Sequence, residues 1–239
     1  MFKKLSIAAA IALMFAGCVV EEDLVTGKFV DREVDGIKYS CGGREGETKN
    51  GGLFECPRGS SVEFWLDGVN LGGVETVEGG EIVTPKDFDF IILRGKKRPL
   101  DNKEKERLAP LVATVLLSLD KDGNPDNGIE IDNKVEDAFG KFFDAEVKPE
   151  AVTNIVELFK EEQPDDPLKI DPDMIRNKIL DVTQKALDAV EKEVPEADLR
   201  PITLDEAEKH LDDVEEAIRD GEIKPPVEET TITGAEGGA

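Results

Sequence analysis

Residues 119–132 read LDKDGNPDNGIEID, and the character of the chain changes at this stretch. Ahead of it the sequence is short alternating runs broken by Gly, Pro and Asp-Gly pairs, the pattern of strands and turns. Behind it every long segment carries apolar residues at helical spacing. The stretch places Asp120, Asp122, Asn124 and Asp126 at alternate positions, with Gly123, Pro125 and Gly128 bending the backbone. Hard cations take six to eight oxygens from a tightly curled backbone, and alternate carboxylates can point into such a curl. Asp120, Asp122, Asn124, Asp126 and Glu130 are therefore candidate ligands for a calcium ion. The order departs from an EF-hand loop: glycine stands fourth, proline sixth, and Ile131 twelfth where a glutamate belongs. The competing reading is an acidic helix-to-strand turn in which Asp120 and Asn124 bond the backbone.

Working back from it, Leu108, Leu111, Val112, Val115, Leu116 and Leu119 form an apolar stripe on a helix over 101–119. Pro110 removes a backbone donor, so the helix is expected to start near it or to kink there. Further back, Val62, Phe64 and Leu66 alternate with Ser61, Glu63 and Trp65 on a strand closed by the turn Asp67-Gly68. Strands are also expected at 28–30, 37–41, 53–56 and 69–71, with 74–77 and 81–84 pairing around Gly79-Gly80, and 42–52 as a glycine-rich loop. Phe90–Leu93 reads as a last buried strand or the start of a linker. The basic run 94–98 reads as a turn that pairs with acidic helices.

Working forward, Val135, Phe139, Phe142 and Phe143 mark a second helix, and Val152, Ile155, Val156 and Phe159 a third. Asp171-Pro172 opens a fourth, running to about Val194. Thr203 and Glu206 form a capping box for a fifth that ends at Gly221. The expected fold class is α+β: a small antiparallel β-sandwich over 27–93 followed by an α-helical bundle over 101–221. Residues 222–239 read as a disordered tail.

At the N-terminus, Lys3 and Lys4 precede the apolar run Ile7–Phe15, which is too short for a permanent span. Residues 1–17 read as a signal peptide and 18–26 as a tether. Phe15-Ala16-Gly17-Cys18 resembles the lipobox of bacterial lipoproteins. That resemblance implies that Cys18 is acylated, palmitate included, and becomes the first mature residue. Val19 after it implies outer-membrane sorting, periplasmic or surface-facing. With Cys18 acylated, Cys41 and Cys56 remain as a pair in an oxidising compartment. A bridge between them closes a loop of about 15 residues, worth roughly 3 kcal/mol. A two-cysteine metal site lacks partners, since His210 is the only histidine.

The net charge of −24 sets the chain against nucleic acid and anionic headgroups. The single histidine has no Ser or Cys elbow around it, which leaves no credible triad. Gly42–Gly52 lacks the Gly-Lys-Ser/Thr ending of a phosphate loop. Among 54 acidic residues a carboxylate pair for hydrolysis can always be nominated, so the nomination carries nothing without geometry.

The runs GKFVDREVDGIKYSCGG (27–43), GETKNGGLFECPRGSSVEFWLDGVNLGG (46–73) and VLLSLDKDGNPDNGIEI (115–131), with TLDEAEKHL at 203–211, resemble a family of bacterial exported lipoproteins and surface proteins. Their N-terminal module is similar to the carboxypeptidase-regulatory-like sandwich. The resemblance implies a sandwich fold and an envelope setting, and it names no activity. The functional expectation is a lipid-anchored envelope or surface protein with a binding or structural role and no catalysis. It would meet the membrane through its lipid, and an envelope or surface protein as partner. The alternatives are a calcium-stabilised adhesin-like or assembly subunit, and a hydrolase with carboxylates at the domain junction.

Overall fold

The computed structural model describes residues 23–93, 95–147, 172–197 and 199–227. The lipobox with Cys18, the helix expected over 152–159 and the tail beyond residue 227 lie outside them. The described chain is a mixed α+β protein. Its strands are β1 (Leu24–Phe29), β2 (Val34–Asp35), β3 (Lys38–Cys41), β4 (Arg44–Glu47), β5 (Leu53–Pro57), β6 (Ser60–Leu66), β7 (Val69–Val77), β8 (Ile82–Val83), β9 (Phe90–Leu93), β10 (Lys96–Pro99) and β11 (Ile129–Glu130). Its helices are α1 (Asn102–Ser118), α2 (Asn133–Val147), α3 (Pro172–Glu193) and α4 (Leu204–Arg219).

The strands form a six-stranded sheet in the order β10-β9-β7-β6-β3-β4, a three-stranded sheet β5-β1-β8 and a two-stranded pair β11-β2. The alternation in β6 buries Val62, Phe64 and Leu66 completely while Ser61, Glu63 and Trp65 stay half-buried. Asp67 (φ 39°) and Gly68 (φ 85°) are both left-handed. A two-residue hairpin needs that conformation to match the strand twist, and Leu66 accordingly faces Val69 across the turn. Phe29 and Phe54 of the three-stranded sheet meet Phe64 of the six-stranded sheet, with centroids 4.4 and 5.4 Å apart. Phe88 extends the cluster, lying 5.9 Å from Phe64. It sits so close over β7 that a Cβ on Gly72 would fall 2.1 Å from its ring. Each such ring contributes about 1.5–3 kcal/mol by burial. The Cys41–Cys56 disulfide joins β3 to β5, and so one sheet to the other, across a Cα–Cα distance of 5.6 Å.

Several local expectations are corrected. Residues 44–47 form an edge strand inside the supposed loop; Arg-Glu-Gly-Glu has no apolar face, so no alternation marked it. Ile82–Val83 runs parallel to β1 instead of pairing with 74–77, so the strand set is not purely antiparallel. The basic run is the hairpin strand β10, an edge on which lysines discourage further pairing. Arg98 does pair with Glu104 of α1, whereas Lys97 pairs with Glu75 of β7. β1 starts at Leu24, within the stretch read as a tether. At the other end Ile223 is buried beside Val214 and Ala217, within the stretch read as tail.

Helix α1 begins in a reciprocal cap: Asp101 accepts from the Glu104 N–H and Glu104 from the Asp101 N–H, both at 2.9 Å. It runs through Pro110 rather than starting there, and the Thr114 hydroxyl donates to the Pro110 carbonyl at 2.8 Å. Every residue from Leu108 to Ser118 is buried, so this helix is enclosed on all sides rather than along one stripe. It packs on the short 3-10 turn Pro85–Asp87, on α3 and on α4, while α2 packs on α3. Its last buried polar group, Ser118, accepts the Ile202 N–H at 3.0 Å. The capping box of α4 is present, with Thr203 Oγ1 accepting from the Glu206 N–H at 3.1 Å. One continuous set of buried residues runs from Val25 through α1 to Leu211.

Candidate functional site at the turn after α1

The stretch that leaves α1 does more than turn. It comes back to the strands: Ile129 pairs with Val34 and Glu130 with Asp35, in parallel. The Ile129 N–H donates to Glu33 O at 2.8 Å and the Ile131 N–H to Asp35 O at 3.1 Å. Gly36 (φ 91°) passes so close that a Cβ there would sit 2.2 Å from Ile131 O. Between the two strands of chain lies a pocket of about 250 Å3 lined by Glu33, Asp35, Asp120, Asp122 and Glu130 among others.

Of the expected ligands, Asp120, Asp122 and Glu130 line this pocket, and Asn124 and Asp126 do not. Asp120 is 1% exposed. Its Oδ1 accepts the Glu130 N–H at 3.0 Å, which closes the turn, while its buried Oδ2 has no aligned hydrogen-bond donor. Burial pushes its carboxyl up to about 6; the Glu130 N–H opposes that shift, the neighbouring Asp122 carboxylate adds to it, and the Asn124 N–H opposes it to a smaller extent. Asp122 is exposed and held below the usual carboxylate range, first by the Asn127 amide at 2.9 Å and then by the Asn124 N–H at 3.0 Å. Glu130 is bonded to Lys121 at 2.9 Å. Across the pocket Asp35 Oδ1 accepts the Gly51 and Gly52 N–H groups at 2.9 and 2.8 Å, and Glu33 pairs with Lys28 at 2.6 Å. Among the described residues, no three His, Cys, Asp or Glu side chains gather as a metal-holding group.

Two further buried acids lie outside this pocket, and pattern reading found neither. Asp31 is fully buried just past the end of β1, and the only histidine meets it there: His210 Nε2 of α4 lies 3.3 Å from Asp31 Oδ1, an ion-pair contact without hydrogen-bond alignment. Burial disfavours the imidazolium, but the Asp31 carboxylate outweighs it, and the His210 pKa is raised. Glu136, 1% exposed in the first turn of α2, accepts the Asp67 N–H at 2.8 Å and pairs with the half-exposed Lys38 at 3.0 Å. Burial is the main reason its pKa is raised. A signal for Glu136 existed in principle, as an acid near the start of a helix; Asp31 had none, since its partner is far away in sequence.

The larger concavities lack this concentration. One of about 660 Å3 opens over Tyr39, Glu63 and Trp65 on the six-stranded sheet, and one of about 560 Å3 lies between α1 and α4. Neither is lined by a buried side-chain group left without a partner, among the described residues. No helix among them is long and apolar enough to cross a membrane. No family model, curated protein or solved structure matches the chain.

Proposed function

We propose that this is an exported, lipid-anchored envelope or surface protein whose role is binding or structural, not catalytic. In this reading the three- and six-stranded sheets make a small disulfide-closed sandwich, and the helices form a bundle-like layer on it. The supporting observation is the Cys41–Cys56 bridge, buried and joining strands of different sheets. Such bridges persist in chains that mature in an oxidising compartment, which agrees with the leader and lipobox pattern of residues 1–18. The non-catalytic reading rests on how the buried acids are used. Asp31, Asp120 and Glu136 each tie one segment to another, through His210, the Glu130 N–H, and the Asp67 N–H with Lys38.

Intact-mass analysis of the membrane fraction of cells expressing the full chain tests this. The expected species starts at Cys18, carries acyl chains, and has no alkylatable thiol until reduced. A mature chain starting elsewhere, or Cys41 and Cys56 alkylated without reduction, overturns it.

A further inference from the structure

We propose that Asp120 and Asp122 hold one hard, partly hydrated divalent cation in the pocket between the turn after α1 and residues 33–35. Carboxylates outnumber cations among the residues lining the pocket, where Lys121 is the one positive side chain. Asp120 lines the pocket, and its Oδ2 is buried without an aligned hydrogen-bond donor, although the Asn124 N–H lies near the carboxylate. The carboxylate of Asp122 stands beside it, within reach of a shared hydrogen, and two ionised carboxylates cannot donate to each other. Lys121, on the same wall, is committed to Glu130 at 2.9 Å, and Lys28 to Glu33 at 2.6 Å. Left-handed glycines at 123 (φ 64°) and 128 (φ 100°) hold the curl that brings the two carboxylates together.

The donor set fixes the kind of ion. The anionic side chains here are all carboxylates, and no histidine or cysteine lines the pocket, which favours Ca2+ or Mg2+ over zinc or copper. Two carboxylates are too few for an all-protein cage, in keeping with the lack of any three-residue metal group among the described residues. They suffice for an ion that keeps several waters. The pocket of about 250 Å3 has room for those waters, and Glu33, Asp35 and Glu130 can accept from them. The ion would brace the chain leaving α1 against β2, where only a two-residue parallel ladder holds it. This inference does not depend on lipid anchoring, so the two can fail separately.

The test uses the purified full chain, stripped with chelator, titrated with CaCl2 or MgCl2 and followed by calorimetry and thermal melting. The expected result is one ion per chain, bound in the range of extracellular calcium modules, about 10⁻⁴–10⁻³ M, with a rise in melting temperature at saturation. Asp120→Asn and the exposed Asp122→Asn each weaken binding tenfold or more and remove the melting shift, while Asp126→Asn, outside the pocket, leaves both unchanged. The Ca2+ and Mg2+ arms show which ion is preferred. No binding of either ion at concentrations on the order of 10 mM, well above the weakest such sites, overturns the proposal. Binding that survives in both Asp120→Asn and Asp122→Asn overturns it too.

Discussion

Asp31 and Asp120 are both buried where strands meet helices, and the chain treats them in opposite ways. Asp31, just past the end of β1, meets a titratable partner: α4 brings the His210 imidazole to 3.3 Å, and its pKa is raised there. Asp120, at the end of α1, receives the Glu130 N–H on Oδ1 and has both the Asn124 N–H and the Asp122 carboxylate close by. A buried charge is costly unless it is paired, so the two seams have different sources of stability. The β1–α4 seam sets a titratable imidazole against its buried acid, with no aligned hydrogen bond between them. The α1–β2 seam gathers several carboxylates around one lining lysine, Lys121, which is paired with Glu130.

The largest effect should come from breaking the β1–α4 seam. His210→Gln leaves Asp31 buried without its partner and should cost about 3–5 kcal/mol, the usual penalty for removing one partner of a buried pair, read from the denaturant midpoint. A loss below about 1 kcal/mol, the value of an exposed pair, would mean that the contact between His210 and Asp31 adds little to the fold. Glu136 sits between the two cases, because its lysine is half-exposed and water screens the pair. Glu136→Gln should therefore cost less, about 1–2 kcal/mol, with the hairpin turn at Asp67 the first backbone to lose hydrogen-exchange protection.

The dependence on pH separates the seams further. The folded pKa of His210 is raised above its unfolded value of 6.5. Its contribution is therefore fully present below about pH 6.5 and is lost as pH rises through the folded value, at about 1.4 kcal/mol for each pH unit that separates the two values. Asp31, Arg32 and Asp213 are the charges around it. Wild type should lose its stability advantage over His210→Gln across that window, in melts run from pH 5 to 9; parallel curves would mean that His210 does not titrate with folding. The smallest effect should be at the α1–β2 seam. In chelator, Asp120→Asn keeps an acceptor for the Glu130 N–H and relieves repulsion from Asp122, so it should be neutral or stabilising by up to about 1 kcal/mol. Asp31→Asn, the same change at the other seam, should destabilise.

What could be read in advance followed from periodicity and local chemistry. The alternation of Val62, Phe64 and Leu66, the Asp67-Gly68 hairpin, the Thr203–Glu206 cap and the Cys41–Cys56 pairing each depend on neighbours or on simple counting, and each is present. What escaped was set by tertiary contact. β4 is polar throughout and exists because Tyr39 and Ser40 offer it a ladder. β2 and β11 are two residues each, too short for any pattern. Asp120 and Asp122 could be singled out by alternation, but their pocket could not, because Glu33 and Asp35 arrive from the far side of the β half. Asn124 and Asp126 share the alternation and lie outside that pocket, since the 3-10 turn at Pro125–Asn127 breaks the extended repeat.

The bridge between β3 and β5 also limits how far the β half can come apart. Its two cysteines belong to different sheets but lie only 15 residues apart in sequence. A loop that short closes readily even in an unfolded chain, so the bond can hold β3 near β5 before the two sheets have docked. Once closed, it prevents the two strands from separating during thermal opening. An oxidised chain that unravels should retain a short covalent loop from 41 to 56 from which the β half can reassemble.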